Sequence, residues 1–112
     1  MGTYSEQVRA VYDFLETFSQ ENPGVGEGFV KMHESVAQDK VLSAKSKELI
    51  ALGIAIAVKC KGCIACHVKA ALDIGATKDE IVETIGVAIL MGGGPAVVYG
   101  RKAYDALSEF SD

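Results

Sequence analysis

The chain has 112 residues, 49% of them hydrophobic and 23% charged, and carries a net charge of −4. This length and composition set one folded domain, 1–112, and exclude a disordered polymer. A mildly acidic chain without tryptophan or a lysine–arginine run offers no nucleic-acid surface, and its near-continuous apolar run, 49–58, is too short to span a bilayer.

In chain order, Val8, Val11, Tyr12, Leu15 and Phe18 recur at helical spacing and predict an amphipathic helix over 4–20. Asn22-Pro23-Gly24 stops it. A shorter helix follows over 26–37, with Phe29 and Met32 turned inward, and a loop runs from Lys40 to Ala44. Ser43 is the N-cap of a third helix reaching to about Lys59, which should be buried on most faces because it is apolar nearly all round after Glu48. Lys61-Gly62 reads as a break, and a fourth helix begins near Cys63 and ends at Ile74, with Gly75 as its stop. Thr77 to Glu80 forms a capping box for a fifth helix over 78–91. Gly92 to Pro95 is a turn, and Pro95 suits the first turn of a last helix over 95–109. The expected class is therefore all-α, with about six helices. The twelve glycines and the apolar third helix point to a core completed by another subunit. The N-terminal stretch lacks the apolar segment of a secretion signal, so a cytoplasmic location is expected.

The chemistry concentrates in Glu48, Cys60, Cys63 and His67. All three cysteines lie between positions 60 and 66, which is no disulfide framework of a secreted domain but the pattern of a redox or metal site. On a helix turning about 100° per residue, Cys60, Cys63 and His67 fall on one stripe within about 60°, while Cys66 leans about 60° to the other side. Cys66 is accordingly read as core or spectator. A Cys-x-x-Cys pair cycles between dithiol and disulfide; His67, one turn after Cys63, is placed to take a thiol proton, and Glu48 to orient that base. Peroxide would oxidise one thiolate to a sulfenic acid, and the second cysteine would condense with it to a disulfide. Other readings use fewer of these residues. Cys63-Ile64-Ala65-Cys66-His67 matches the c-type haem attachment pattern but leaves Cys60 and Glu48 idle. An iron–sulfur run lacks its fourth cysteine, and ligands on a single helix do not enclose a tetrahedral zinc ion. Three small cysteines filling a core would leave the histidine and glutamate unexplained. Of the remaining polar residues, His33 beside Glu34 reads as solvated or capping, Arg101 as a surface-pairing residue, and Lys59 and Lys61 as solvated charges that favour a thiolate at Cys60.

These residues resemble the carboxymuconolactone decarboxylase/alkylhydroperoxidase D family. Glu48-x11-Cys60-x2-Cys63-x3-His67 is similar to that family's redox motif at every spacing, and Lys47 to Leu52 ahead of it and Gly92 to Ala96 behind it match as well. The resemblance covers roughly residues 25–108. It implies an all-α protomer assembled as a homotrimer or homohexamer, and peroxidase activity on a hydroperoxide with an external dithiol or disulfide-reducing protein as reductant. It further implies Cys63 as the thiol that attacks peroxide, Cys60 as the resolving thiol, and Glu48 and His67 as the proton relay, with no cofactor or metal. Decarboxylase members lack the cysteine pair, so the alternative, action on a small acidic lactone, is the lesser expectation. One position departs. The best-known alkylhydroperoxidase D proteins carry a histidine just before the second cysteine; Gly62 stands there in this chain, which implies a weaker peroxidase or a disulfide reductase.

Overall fold

Where each helix starts and stops follows from local chemistry. The computed structural model describes residues 2–111; Met1 and Asp112, the ends of the expected 1–112 domain, lie outside the described residues. Six α-helices follow one another: α1 (Thr3–Glu21), α2 (Pro23–Val36), α3 (Ala44–Ala57), α4 (Lys61–Asp73), α5 (Lys78–Gly92) and α6 (Gly94–Phe110). Among the described residues there is no strand, so the protein has the all-α class read from the sequence.

The expected caps form. Ser43 Oγ accepts from the Ser46 amide at 3.0 Å. Thr77 Oγ1 accepts from the Glu80 amide at 3.1 Å while Glu80 Oε1 accepts from the Thr77 amide at 2.9 Å. Gly2 has no side chain to cap α1, and Glu109 of α6 does it instead, taking the Ser5 amide at 2.8 Å and the Tyr4 amide at 3.3 Å. Gly93, at φ 69° and ψ −150°, reverses the chain between α5 and α6 in a single residue, a conformation closed to side chains with a Cβ.

Three boundaries and two burial expectations are corrected. Pro23 does not merely stop α1: it occupies the first turn of α2, where its missing N–H costs nothing, so α2 begins three residues earlier than expected, and Asn22 alone joins the two helices. The break before the cysteines lies at Val58–Cys60, and Lys61-Gly62 belongs to the first turn of α4, which starts before Cys63. Lys59 takes the left-handed conformation, φ 62°, its amide bonding Ile56 O and the Cys60 amide bonding Ala55 O. That is a Schellman stop, the same pair of bonds that Gly75 makes at the end of α4. A lysine there costs roughly 1–2 kcal/mol relative to glycine, which is why the sequence pointed to the nearby glycine instead. Phe29 and Met32 are about half exposed, because α2 packs chiefly against α1. α3 buries only Leu52, Ala55 and Ile56, and its Ile50 and Ile54 stay half exposed.

The core is built by the last four helices. Leu52 and Ile56 of α3, Ile64 and Val68 of α4, Ile81 of α5 and Leu107 of α6 are essentially without solvent contact. At roughly 1.5–3 kcal/mol per fully buried large apolar side chain, this set supplies most of the drive to fold. The α1–α2 hairpin lies outside it and rests on α4 and α6 through α1. Lys47 Nζ donates to Val36 O and Gln38 O, tying the end of α2 to α3. Among the described residues no helix is long and apolar enough to cross a membrane.

Candidate active site

Cys60 is the N-cap of α4. Its backbone is extended, φ −100° and ψ 99°, and its Sγ accepts from the Cys63 amide at 3.3 Å. Because Cys60 steps off the helix, its sulfur reaches Cys63, three residues on, and the two form a disulfide with Cα atoms 5.2 Å apart. A regular helix would hold the pair too far apart, so the chain break at Lys59 is what makes the bond possible. Both sulfurs sit at the positive end of α4, where free amides and the helix dipole favour a thiolate after reduction. Cys63 is exposed and Cys60 half-buried.

One turn further along α4, His67 Nδ1 lies 2.7 Å from Glu48 Oε1 of α3. The His67 side chain is 25% exposed and that of Glu48 12%. A carboxylate only accepts, so Nδ1 carries the hydrogen and Nε2 is left as the basic nitrogen. Glu48 thus fixes both the tautomer and the ring orientation. All four residues expected in the site come together on one face.

That face is the floor of a cavity of about 440 Å3, within the roughly 300–1,000 Å3 of small-molecule pockets. Glu48, Cys60, Cys63 and His67 line it from α3 and α4; Val11, Tyr12 and Leu15 from α1 and Phe29, Val30 and His33 from α2 roof it. The helical face read from Val11, Tyr12 and Leu15 is therefore partly a cavity wall rather than core. The roof itself was invisible in the sequence, because it depends on long-range packing of α1 over the first turn of α4. A Cβ at Gly62 would touch Val11 Cγ2 at 3.5 Å, so the residue after Lys61 lies directly beneath α1.

Cys66 also lines the cavity, as a half-buried free thiol. Of the two roles read for it, core and spectator, the first is corrected: leaning away from the Cys63–His67 stripe, it is only half-buried at the cavity and stands outside the apolar cluster. Burial, and then the Glu48 charge, push its pKa up, so it stays a neutral thiol. Burial, followed by the Cys66 thiolate that forms only in alkaline solution and by the Glu48 charge, likewise raises the Tyr12 phenol. Arg101 pairs with Asp105 one turn on, at 3.6 Å, on the surface of α6. Among the described residues no three His, Cys, Asp or Glu side chains converge as metal ligands would.

Six helices that set a Cys-x-x-Cys disulfide beside a carboxylate–histidine pair on one cavity define the class of this all-α protein. The chain belongs to the carboxymuconolactone decarboxylase family, whose sequence pattern matches residues 23–106. It is 36% identical over 92 residues to an uncharacterised protein of Cupriavidus necator, covering 80% of this chain and 81% of that one. Among solved structures it is similar to a carboxymuconolactone decarboxylase family protein of Legionella pneumophila, in the apo form, with TM-score 0.93, 37% identity and 97% of both chains covered. It is also similar to a family protein of Thermotoga maritima for which a part in antioxidative response has been suggested, with TM-score 0.84, 26% identity, and 95% of this chain and 90% of that one covered.

Proposed function

We propose that the protein is a thiol-dependent hydroperoxidase, with Cys60, Cys63, His67 and Glu48 as its working residues. The observation that carries this reading is the disulfide at the start of α4, set in the wall of a cavity that also holds the His67–Glu48 pair. In the reduced protein, His67 Nε2 takes the Cys63 proton, and the N-terminus of α4 stabilises the thiolate. The thiolate attacks the terminal oxygen of the hydroperoxide. The O–O bond breaks, the alkoxide leaves and is protonated to the alcohol, and Cys63 becomes a sulfenic acid. Cys60 then attacks that sulfur, water departs, and the disulfide forms. An external dithiol reduces it through a mixed disulfide and is itself oxidised, which balances the two electrons taken by the peroxide.

The exposure of Cys63 favours it as the attacking sulfur and also suits exchange with a partner's disulfide, so disulfide reduction by the same couple is the second reading. The Thermotoga relative's suggested antioxidative role agrees with both. The working form we propose is a cytoplasmic homotrimer or homohexamer. A second apolar groove, between α3 and α5, supports this, with Ile50, Ile54, Val87 and Met91 along it and Leu90 and Met91 about four-fifths exposed. Sedimentation of the native protein measures the assembly.

The test of the chemistry is a thiol count on the reduced protein before and after one equivalent of cumene hydroperoxide, with peptide mapping. The expected result is a fall from three thiols to one, with a Cys60–Cys63 bond, and no such loss in Cys63→Ser. Three unchanged thiols, or a Cys63→Ser variant that turns over peroxide as fast as the parent, would sink the reading and favour action on a small acidic lactone.

A further inference from the structure

The reaction just described leaves one proton unassigned, the one taken by the departing alkoxide. Displacement at a peroxide oxygen runs in line: sulfur, attacked oxygen and departing oxygen are close to collinear. With the attacking sulfur on α4, the departing oxygen points away from that helix and across the cavity. His67 lies one turn beyond Cys63 on the same helix and therefore sits on the attacker's side. The wall across from α4 is built by α1, through Val11, Tyr12 and Leu15, and by α2, which packs chiefly on α1.

That wall carries one imidazole. His33 lines the cavity from α2, as do Phe29, Val30 and Glu34 of the same helix. Its ring centroid is 6.4 Å from that of Phe29, and among the described residues the ring has no hydrogen-bond partner. It is exposed enough to exchange protons with water. Imidazole is the side chain that holds and releases a proton near neutral pH. No part of the chemistry assigned to α3 and α4 uses it.

We propose that His33 is the general acid of the peroxide step, acting from the roof of the cavity on the leaving oxygen. The inference rests on the hydroperoxidase reading above. The step balances as follows: the Cys63 thiolate and ROOH, with protonated His33, give Cys63 sulfenic acid, ROH and neutral His33, which takes a proton back from water. Two acid–base groups then flank the substrate, His67 activating the sulfur on the floor and His33 discharging the alkoxide from the roof. This division lets the protein expel a basic alkoxide, which leaves poorly without a proton.

The experiment compares two oxidants on the reduced protein under single-turnover conditions, following formation of the Cys60–Cys63 bond. Cumene hydroperoxide expels a strongly basic alkoxide that needs a proton. Peracetic acid expels acetate, which does not. His33→Gln should slow the reaction with cumene hydroperoxide by about 10²-fold, the usual size of a general-acid contribution, and leave the reaction with peracetic acid unchanged. The unchanged peracid rate in the same sample shows that the variant is folded and its thiols competent. In His33→Ala, added imidazole should restore part of the lost cumene hydroperoxide rate. Equal slowing with both oxidants would mean that His33 only shapes the cavity, and no slowing with either would mean that it plays no part; each overturns the proposal while leaving the hydroperoxidase reading intact. If the parent protein forms no Cys60–Cys63 bond with either oxidant, that reading falls and this one falls with it.

Discussion

The four-helix core and the α1–α2 hairpin share one cavity and are built on different principles. Apart from Ala65, the apolar side chains that α3 to α6 bury belong to one close-packed cluster. α1 buries no residue fully, and α2 buries only Gly26. The core holds the sulfurs and the Glu48–His67 pair on helices that packing fixes. The hairpin contributes apolar wall and one imidazole from helices anchored along fewer contacts. Positioning for bond making and breaking requires rigidity, whereas admitting a substrate requires a wall of lower local stability. On the hydroperoxidase reading proposed above, the division of buried surface in this protein follows that distinction.

Changes at Ile56, Gly26 and Glu109 test the division between core and hairpin. Ile56→Ala, in the last turn of α3 and without solvent contact, should lower the free energy of unfolding by about 2–5 kcal/mol, read by denaturant titration. A loss no larger than that of a surface substitution would mean that the core is not where stability resides. Gly26→Ala probes the hairpin. A Cβ there would lie 2.6 Å from Ser19 Cα, so α1 and α2 must move apart, at about 1–3 kcal/mol. Hydrogen exchange should show faster opening of the α2 amides with little change in those of α4 and α5. Uniform acceleration across all six helices would show that the hairpin and core unfold as one unit.

The smallest effect is a pH dependence. The Ser5 amide, and to a lesser degree the Tyr4 amide, hold the Glu109 carboxyl below its usual range. A carboxyl with a lowered pKa in the folded state contributes stability above its unfolded pKa and loses it as pH falls through the folded value. Acidification should therefore fray the start of α1 before the core responds, and Glu109→Gln should show the same fraying at neutral pH. Amide chemical shifts of Tyr4 and Ser5 that stay constant through that titration would remove Glu109 as the cap.

Much of the core was legible because it obeys local rules. Ser43, Thr77 with Glu80, Pro95 and Gly75 are each the residue type that a helix start or stop demands, and each stands where it was read. The pairing of Glu48 with His67 was also accessible, since the chemistry of a thiol base calls for a carboxylate behind it. What escaped was non-local or locally disfavoured. Lys59 stops α3 in a conformation that glycine would adopt more easily, so the break was placed at the nearest glycine instead. Cys66 reads as core or spectator from its lean away from the Cys63–His67 stripe, and a single helix does not show that a cavity opens wide enough to reach it. His33 and Phe29 reach the site only because α1 folds back over α4, a contact that no periodicity within α2 encodes.

The sulfur at the start of α4 also gives the molecule a built-in reporter. Most helices begin on an oxygen cap whose chemistry never changes; here the acceptor facing the Cys63 amide is Cys60 Sγ. As half of a disulfide that sulfur is a weak acceptor, and as a thiolate it is a strong one. The Cys63 amide proton should accordingly resonate at different fields in the two states. A single backbone cross-peak then reads the oxidation state of the pair as oxidant or reductant is added, without a dye.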